Sequence, residues 1–411
     1  MTLATPLRLK SNHFRINRTN AGCQRCRPVM NKKSNPMNVA ILGSFPPLRG
    51  ISSYCFELAQ SLASAACRVE FISFKSMYPT FLYPGGDLKD DNTFPESRNS
   101  HLKVQRNIAW YNPLGWIVAG LRNKADLLHA QWWSLPLAPV YLCLSIISKM
   151  RGKPVVFTIH NVLAHERSPL FFHISKRLFS MGDHFIVHSA LNRRQLIEFY
   201  DIPDSRITLI PHGPLGFQVN ADADPTTIRA ELDFRPEHKV VLLFGAIRSY
   251  KGVDTTIAAF SQVAAQVPEA RLLIVGKPWQ SWRPYEAMIQ RYGIQNQVTV
   301  RLGYVPSADV HRYFCACDLV ILPYHHFDSQ SGVGGTAVSF RKPLIVTRVG
   351  GLPDLVLHQH AIVPPIDPPA LADAIVTCFK DPALLMQLAK DADTIARMIS
   401  WTGIARQTIE V

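Results

Sequence analysis

Charged side chains are scarce in this chain of 411 residues: Asp, Glu, Lys and Arg together make up 18%, against roughly 25% in an ordinary soluble protein. With 47% of the residues hydrophobic, that scarcity excludes a chain disordered over most of its length. Cysteine is scarce as well. Eight in 411 residues are too few for a disulfide framework, so a reducing compartment is the default. Cys23 and Cys26 form a CxxC with no second pair at zinc-ribbon spacing, and Cys315 and Cys317 read as core thiols. An uninterrupted hydrophobic run of membrane-spanning length is also missing. Ala130 to Ser148 lacks charge and approaches that length, but Pro136 and Pro139 break it and strand-like segments flank it, Asp126–Gln131 and Pro154–His160. It reads as a buried crossover helix.

Acidic residues are absent from the first 36 positions, which hold Arg8, Lys10, Arg15, Arg18, Arg25, Arg27, Lys32 and Lys33. Removing those eight cations takes the net charge from +14 to +6. More than half of the positive charge therefore sits in the leader, and with no RNA or DNA motif present, nucleic acid is not an expected partner. The leader has no apolar core and is not a secretory signal. It is either a transit peptide or sequence upstream of a start at Met37; the second is favoured because a strand follows Met37 directly. It takes no part in the fold reading.

A length of 411 residues exceeds what one hydrophobic core usually organises, so two domains are expected. From Met37 onward, short apolar runs alternate with longer helical patterns, the signature of βα units on parallel sheets. Seven candidate strands precede Pro211: Asn38–Phe45, Val69–Phe74, Leu102–Ile108, Leu127–Gln131, Val155–His160, Phe185–His188 and Ile207–Pro211. Six follow: Val240–Ala246, Arg271–Val275, Val298–Leu302, Leu319–Leu322, Leu344–Thr347 and a short one near Ile362. Between them, residues 213–238 read as a linker rich in Gly, Pro and polar residues. The expected organisation is a first Rossmann-like domain over 37–212, a second over 239–395, and a C-terminal helix over 396–411 with Trp401 as its anchor. Ser76 to Ser100 reads as a long polar loop.

Ligands of doubly wound sheets bind beyond the carboxyl ends of the strands, and three loops there carry chemistry. Gly43–Ser52 closes the first strand and enters a helix over about Ser52–Ser64; with Gly50 it offers either an anion site at a helix start or a plain tight turn. Phe244–Gly252 closes the first strand of the second half, and Arg248 and Lys251 lie three apart, placed to clamp a diphosphate between Gly245 and Gly252. Asp328–Thr336 precedes a helix whose small first residues expose N–H groups to a phosphate, with the Ser331 hydroxyl as a further donor. Two positive clusters around one anion point to a nucleotide diphosphate neutralised without a metal ion.

With these motifs in order, the chain resembles the GT-B glycosyltransferases of family four over about Met37 to Val411. The most specific pieces are Ile247-Arg248-Ser249-Tyr250-Lys251-Gly252, Ser331-Gly332-Val333 with Lys342-Pro343-Leu344-Ile345-Val346, and Val349-Gly350-Gly351-Leu352-Pro353-Asp354. The first half adds Thr158-Ile159-His160-Asn161-Val162-Leu163-Ala164-His165-Glu166, Val187-His188-Ser189 and Ile210-Pro211-His212-Gly213. The resemblance implies two facing Rossmann-like domains with a cleft between them. It also implies a retaining hexosyltransferase that uses a UDP- or GDP-sugar, has no cofactor or metal, and acts on a glycan or lipid-linked saccharide. Such an enzyme is expected in the cytoplasm, with a peripheral contact to anionic membrane. The rival reading is a non-catalytic relative that binds a nucleotide or glycan as a partner subunit.

Carried onto this chain, Arg248 and Lys251 would hold the donor diphosphate and stabilise the leaving phosphate, with Gly50 approaching from the other domain. Gly245, Gly276, Ser331, Gly332 and Val333 would complete the donor cradle. Of the family's two glutamates, the first position falls on Asp328, a shorter carboxylate, and the second on Thr336, which cannot hold a ribose in bidentate fashion. His160 is the candidate beside the sugar or the acceptor hydroxyl, with Asn161 next to it. Where many relatives have His-x-His, this chain has His129-Ala130-Gln131, and Gln131 hydrogen-bonds without shuttling a proton. His165 with Glu166 is a secondary candidate, while His188 and His212 read as structural. His325, His326, Trp279 and Trp282 are further candidates for the sugar or base. The amphipathic stretch Leu170–Met181, with Lys176 and Arg177, fits a helix that docks on anionic lipid and equally fits an ordinary domain helix.

Overall fold

The computed structural model describes residues 36–48, 50–77, 79, 99–162, 169–214 and 224–411, with backbone only for 169–171. The leader with Cys23 and Cys26, most of the 76–100 loop, and His165 with Glu166 lie outside the described residues.

Thirteen strands are found among the described residues, and they form two sheets. The first contains β1 (Asn38–Leu42), β2 (Arg68–Ser76), β3 (Leu102–Ala109), β4 (Leu127–Trp132), β5 (Val155–Ile159), β6 (His184–Val187) and β7 (Ile207–Leu209). The second contains β8 (Lys239–Phe244), β9 (Ala270–Gly276), β10 (Val298–Leu302), β11 (Leu319–Leu322), β12 (Leu344–Thr347) and β13 (Ile362–Val363). The spatial orders are β3-β2-β1-β4-β5-β6-β7 and β10-β9-β8-β11-β12-β13, and the strand pairings are parallel throughout. Both are doubly wound α/β domains. The order reverses between β1 and β4 in one sheet and between β8 and β11 in the other, so the carboxyl ends of those strands flank each domain's crevice. Central strands such as Leu319-Val320-Ile321-Leu322 are buried along their whole length, as expected where helices cover both faces of a parallel sheet.

Local chemistry explains where the helices start. Asp224, Asp367 and Asp381 each accept from backbone N–H groups of the helix that follows, and each is followed by proline, which lacks the N–H that the first turn would leave unpaired. Ser52–Ser64 is a helix with the bounds read from the sequence.

Three segments depart from the sequence reading. The uncharged run after Ala130 is not one helix: β4 continues to Trp132, a short turn spans Leu135–Leu137, and the helix runs Ala138–Met150 with Pro139 in its first turn. The segment read as a linker contains the helix Pro225–Glu231, whose Ile228 packs with Leu232, Phe234, Val240 and Leu242 on the second sheet. The helix Pro169–Phe179 buries Leu178 and Phe179 and packs Phe172 and Ile174 against the first core, so those apolar side chains are not free to meet a membrane. No helix among the described residues is long and apolar enough to cross one.

The chain ends on the first domain. After the helix Pro382–Met398, Ser400 caps Trp401–Glu410, which places Ile404 and Ala405 in a cluster with Ile41, Tyr54 and Phe56. The Trp401 indole N–H donates to Pro214 O at 2.6 Å, and a methyl group on Gly213 would meet the Trp401 ring at 2.5 Å. Trp401→Ala is expected to lower stability by about 2 kcal/mol through lost packing and one hydrogen bond; urea unfolding monitored by circular dichroism checks it.

Candidate functional site

The loops after β8, β9 and β11 meet at the second crevice. Gly245 and Gly276 have φ of 111° and 152°, and a side chain on Gly276 would strike Gly245 O at 1.8 Å. Only a residue without Cβ lets these two strand ends come so close. Ile247 N–H donates to Lys277 O at 2.9 Å and Trp279 N–H to Ile247 O at 3.0 Å, which fixes the next residue, Arg248, over Trp279. The guanidinium lies 3.6 Å from the indole centre, a cation–π stack. Trp279 is thus a platform for Arg248, whereas Trp282 packs against Tyr285 and the core and is not part of the site.

Lys251 sits in the turn before the helix Val253–Gln266, with its ammonium 3.9 Å from the Tyr324 ring centre and donating to the Tyr324 hydroxyl. Tyr324, just beyond β11, in turn contacts Ser331 Oγ at 3.0 Å, and Ser331 Oγ accepts from Gly334 N at 3.3 Å. Burial keeps the Tyr324 phenol neutral by pushing its pKa up. Its oxygen accepts from Lys251, leaving its proton for Ser331.

Burial first, and the Arg248 charge second, lower the Lys251 pKa to about 7. No carboxylate pairs with Lys251 or Arg248 among the ion pairs of the described residues. The buried Arg248 Nε has no hydrogen-bond partner. Two cations held close together without an acid form a positive cluster that an anion would neutralise.

The helix Gly332–Ser339 completes it. Its first-turn N–H groups, on Gly332 and Val333, have no carbonyl behind them within the helix, and Val333 Cγ2 lies 3.1 Å from where a Cβ on Gly245 would stand. The Ser331 oxygen accepts from Gly334 N and from Tyr324, which leaves the Ser331 O–H proton to donate to a bound anion. Thr336 is buried and donates to Gly332 O at 2.9 Å; its hydroxyl is spent on its own helix. Tyr324→Phe is expected to weaken nucleotide binding about fivefold, because Lys251 loses its partner and a hydrogen-bond chain is broken; isothermal titration checks it.

The first domain presents a different surface. At the ends of β1, β4 and β5, Gly43 packs on Gln131, and His160 contacts Gln131 Oε1 at 3.2 Å. Gly50, with φ of 103°, stands beside Trp133 Nε1 and Ser44 Oγ. Ser44 Oγ and Gln131 Nε2 are buried without partners. Asn161 Nδ2 donates to Trp133 O at 3.0 Å and so pins the loop after β4. His129 lies deeper, buried and bonded to Thr158 Oγ1 at 2.7 Å. Burial pushes its pKa down to about 4.

Tyr54 packs with the rings of His160, His188 and His212 at 4.7, 5.2 and 4.8 Å. Burial, then the neighbouring His188, His212 and His129, hold His160 neutral well below its ordinary range. It can exchange hydrogen bonds with a sugar hydroxyl but does not enter as an imidazolium.

The two domains touch through the loop after β11. Ser189 Oγ and Asn192 Nδ2 donate to Asp328 O at 3.2 and 3.1 Å, and His212 N–H donates to Gln330 Oε1 at 2.7 Å. Asp328 is therefore held by its main chain with its side chain exposed. His325 is tied to Thr255 Oγ1 at 2.9 Å and Asp254 at 3.3 Å, so it braces the helix Val253–Gln266, while His326 is exposed beside Tyr250. Tyr324 and Tyr54 were not singled out in the sequence. The position of Tyr324 at a strand's carboxyl end was the available signal; Tyr54, inside a helix, offered none. Among the described residues, no three His, Cys, Asp or Glu side chains are grouped to hold a metal ion.

Comparison with known proteins agrees with the fold. The family model for Glycosyl transferases group 1 matches residues 238–381, and that for Glycosyltransferase Family 4 matches residues 48–213. A D-inositol 3-phosphate glycosyltransferase from Segniliparus rotundus is 26% identical over 69% of this chain and 64% of its own length, so the chain spans under two thirds of that relative. Its counterpart from Thermobispora bispora is 24% identical over 88% of this chain and 89% of its own. A sucrose-phosphate synthase structure from Thermosynechococcus elongatus superposes with a TM-score of 0.69 at 21% identity, covering 91% of this chain and 98% of that one.

Proposed function

The chain belongs to the group 1, family 4 glycosyltransferases of GT-B architecture, and from that premise we propose that it transfers a hexose from a UDP- or GDP-sugar to a hydroxyl of a glycan or glycolipid. The reaction retains anomeric configuration and needs neither a divalent metal nor a cofactor. The observation that carries this reading is the pair Arg248 and Lys251, half-buried and close together without a carboxylate partner, in the crevice that the first turn of Gly332–Ser339 also faces.

As the bond from the anomeric carbon to the phosphate breaks, negative charge grows on the leaving diphosphate. Preorganised cations and N–H groups stabilise it more in the transition state than in the ground state. The acceptor oxygen forms the new bond from the same face, and its proton passes to the departing phosphate, so no carboxylate nucleophile is called for. Neutral His160 and Gln131 would orient the sugar and acceptor from the first domain, with Gly50 letting that domain's backbone approach. Asp328 would act from the domain contact, its main chain fixed and its carboxylate free.

The spent hydroxyl of Thr336 favours a second reading, a nucleotide-binding partner subunit without turnover. Nucleoside diphosphate release from UDP- and GDP-sugars, with glycan and lipid-linked acceptors offered in parallel, separates the two. Product with an anomeric configuration matching the donor by NMR supports transfer with retention. Nucleotide binding without release under any acceptor supports the partner reading.

A further inference from the structure

The helix Pro113–Arg122 is apolar on two sides. One side is used by the fold: Trp116 packs on the first core and donates its indole N–H to Ala109 O at 2.7 Å, while Ala119 and Gly120 are buried, Gly120 against Ile147. The other side points outward and is no less apolar. Leu114 is 75% exposed, Leu121 56%, Val118 44% and Ile117 41%, with Tyr111 at 62% and Trp110 at 39% just before the helix. Residues 114, 117, 118 and 121 form one stripe at helical spacing. A contiguous exposed stripe of this kind marks a docking surface.

Charge around the stripe selects the partner. Residues 99–125 contain Lys103, Arg106, Arg122 and Lys124 and no acid. Beyond the end of the helix, Arg68, Lys103, Arg122 and Lys124 line an open hollow of about 870 Å³. One acid, Glu70, lines the same hollow and accepts from Gln105, so the cations there outnumber acids four to one. The last carbonyls of the helix are also satisfied. Asn123 N–H bonds Ala119 O, and Arg151 Nη1 donates to Gly120 O at 3.0 Å, Leu121 O at 2.9 Å and Asn123 O at 2.6 Å. This capping lowers the cost of carrying the end of the helix into a poorly hydrated layer. A second copy of the chain is disfavoured as the occupant, since it would bring cations against cations.

We propose that the outward face of Pro113–Arg122 docks on an anionic lipid bilayer. Leu114, Ile117, Val118 and Leu121 enter the acyl boundary, Trp110 and Tyr111 lie at headgroup level, and the basic hollow receives anionic headgroups. The surface is separate from the nucleotide site and does not rest on the reading of that site.

Co-sedimentation of the full chain with vesicles of phosphatidylcholine, with and without phosphatidylglycerol, tests it. The leader carries eight cations of its own, so the decision rests on variants. Leu114→Glu with Leu121→Glu is expected to lower partition onto the anionic vesicles about tenfold or more, and Arg122→Ala with Lys124→Ala about tenfold, with a weaker salt dependence. Both pairs are exposed, so melting temperature and nucleotide binding should stay unchanged. Wild-type partition that ignores phosphatidylglycerol, or variant partition equal to wild type, overturns the proposal. So does a dimer in solution that Leu114→Glu with Leu121→Glu dissociates, which would make the face a contact between copies.

Discussion

Replacing Arg248 or Lys251 by alanine is expected to lower kcat/KM for the nucleotide-sugar donor by about 10²–10³-fold, the effect of removing one charged donor from a preorganised oxyanion site. The same substitutions should leave the melting temperature unchanged or raise it. Each cation is confined without an acid to pair with, so removing it leaves no carboxylate uncompensated, and the repulsion relieved between the two offsets the lost Tyr324 hydrogen bond or Trp279 stack. Loss of activity together with undiminished stability separates a ligand-binding role from a structural one. Arg248→Lys should lose most of the same activity, because an ammonium cannot reproduce a planar fork stacked 3.6 Å from the Trp279 ring centre. Initial rates against donor concentration, with a thermal melt of each variant, check all three expectations.

Donor affinity is expected to be flat below about pH 7 and to fall up to tenfold per pH unit above it. Lys251 has its pKa lowered to about 7 in the free protein by burial and by Arg248. A bound diphosphate supplies the missing counter-charge and raises that pKa, so binding takes up a proton. The protonated form is complete below pH 7, and each unit above it makes the ligand restore a larger share of lost protons. The donor's diphosphate is not the cause, since it is esterified at both ends and its remaining strongly acidic protons are lost far below this range. Titrations from pH 6 to 9 check the slope, and two buffers of different ionisation enthalpy reveal the proton uptake. Lys251→Ala should abolish the slope, because Arg248 stays charged throughout.

Most of the scaffold was legible before the structure. The central strands overlap apolar runs bounded by turn residues, because buried parallel strands must be apolar on both faces; the edge strands β3 and β10 carry exposed polar residues such as Lys103 and Arg301, and Ser52–Ser64 shows the complementary helical spacing. The run after Ala130 misled because absence of charge does not distinguish a strand end from a buried helix; Pro139 in the helix's first turn carried the correct boundary. The amphipathic pattern of Leu170–Met181 fits a surface for lipid and a domain helix alike, because such a stripe is also what a domain core demands. Only burial shows that Phe172, Ile174, Leu178 and Phe179 are packed on the core while Leu114 and Leu121 on another helix are not.

At the site, glycines and cations at strand ends were visible from motif and position. The Arg248–Trp279 stack and the Lys251–Tyr324 link of the chain to Ser331 were not, since they join residues 31 and 73 positions apart through loop geometry. Asp328 kept its place in the motif, but that its main chain is gripped by Ser189 and Asn192 of the other domain had no signature in local sequence.

The measurement that bears most directly on the account is the thermal shift of the full chain, wild type and Lys251→Ala, titrated with UDP, GDP and ADP in EDTA. A ligand that binds only the folded state raises its stability by about 2.7 kcal/mol at a hundredfold excess over Kd. The account predicts a shift with UDP or GDP that survives the chelator and is lost in Lys251→Ala. No shift with any nucleotide, or a shift of equal size in the variant, would contradict it.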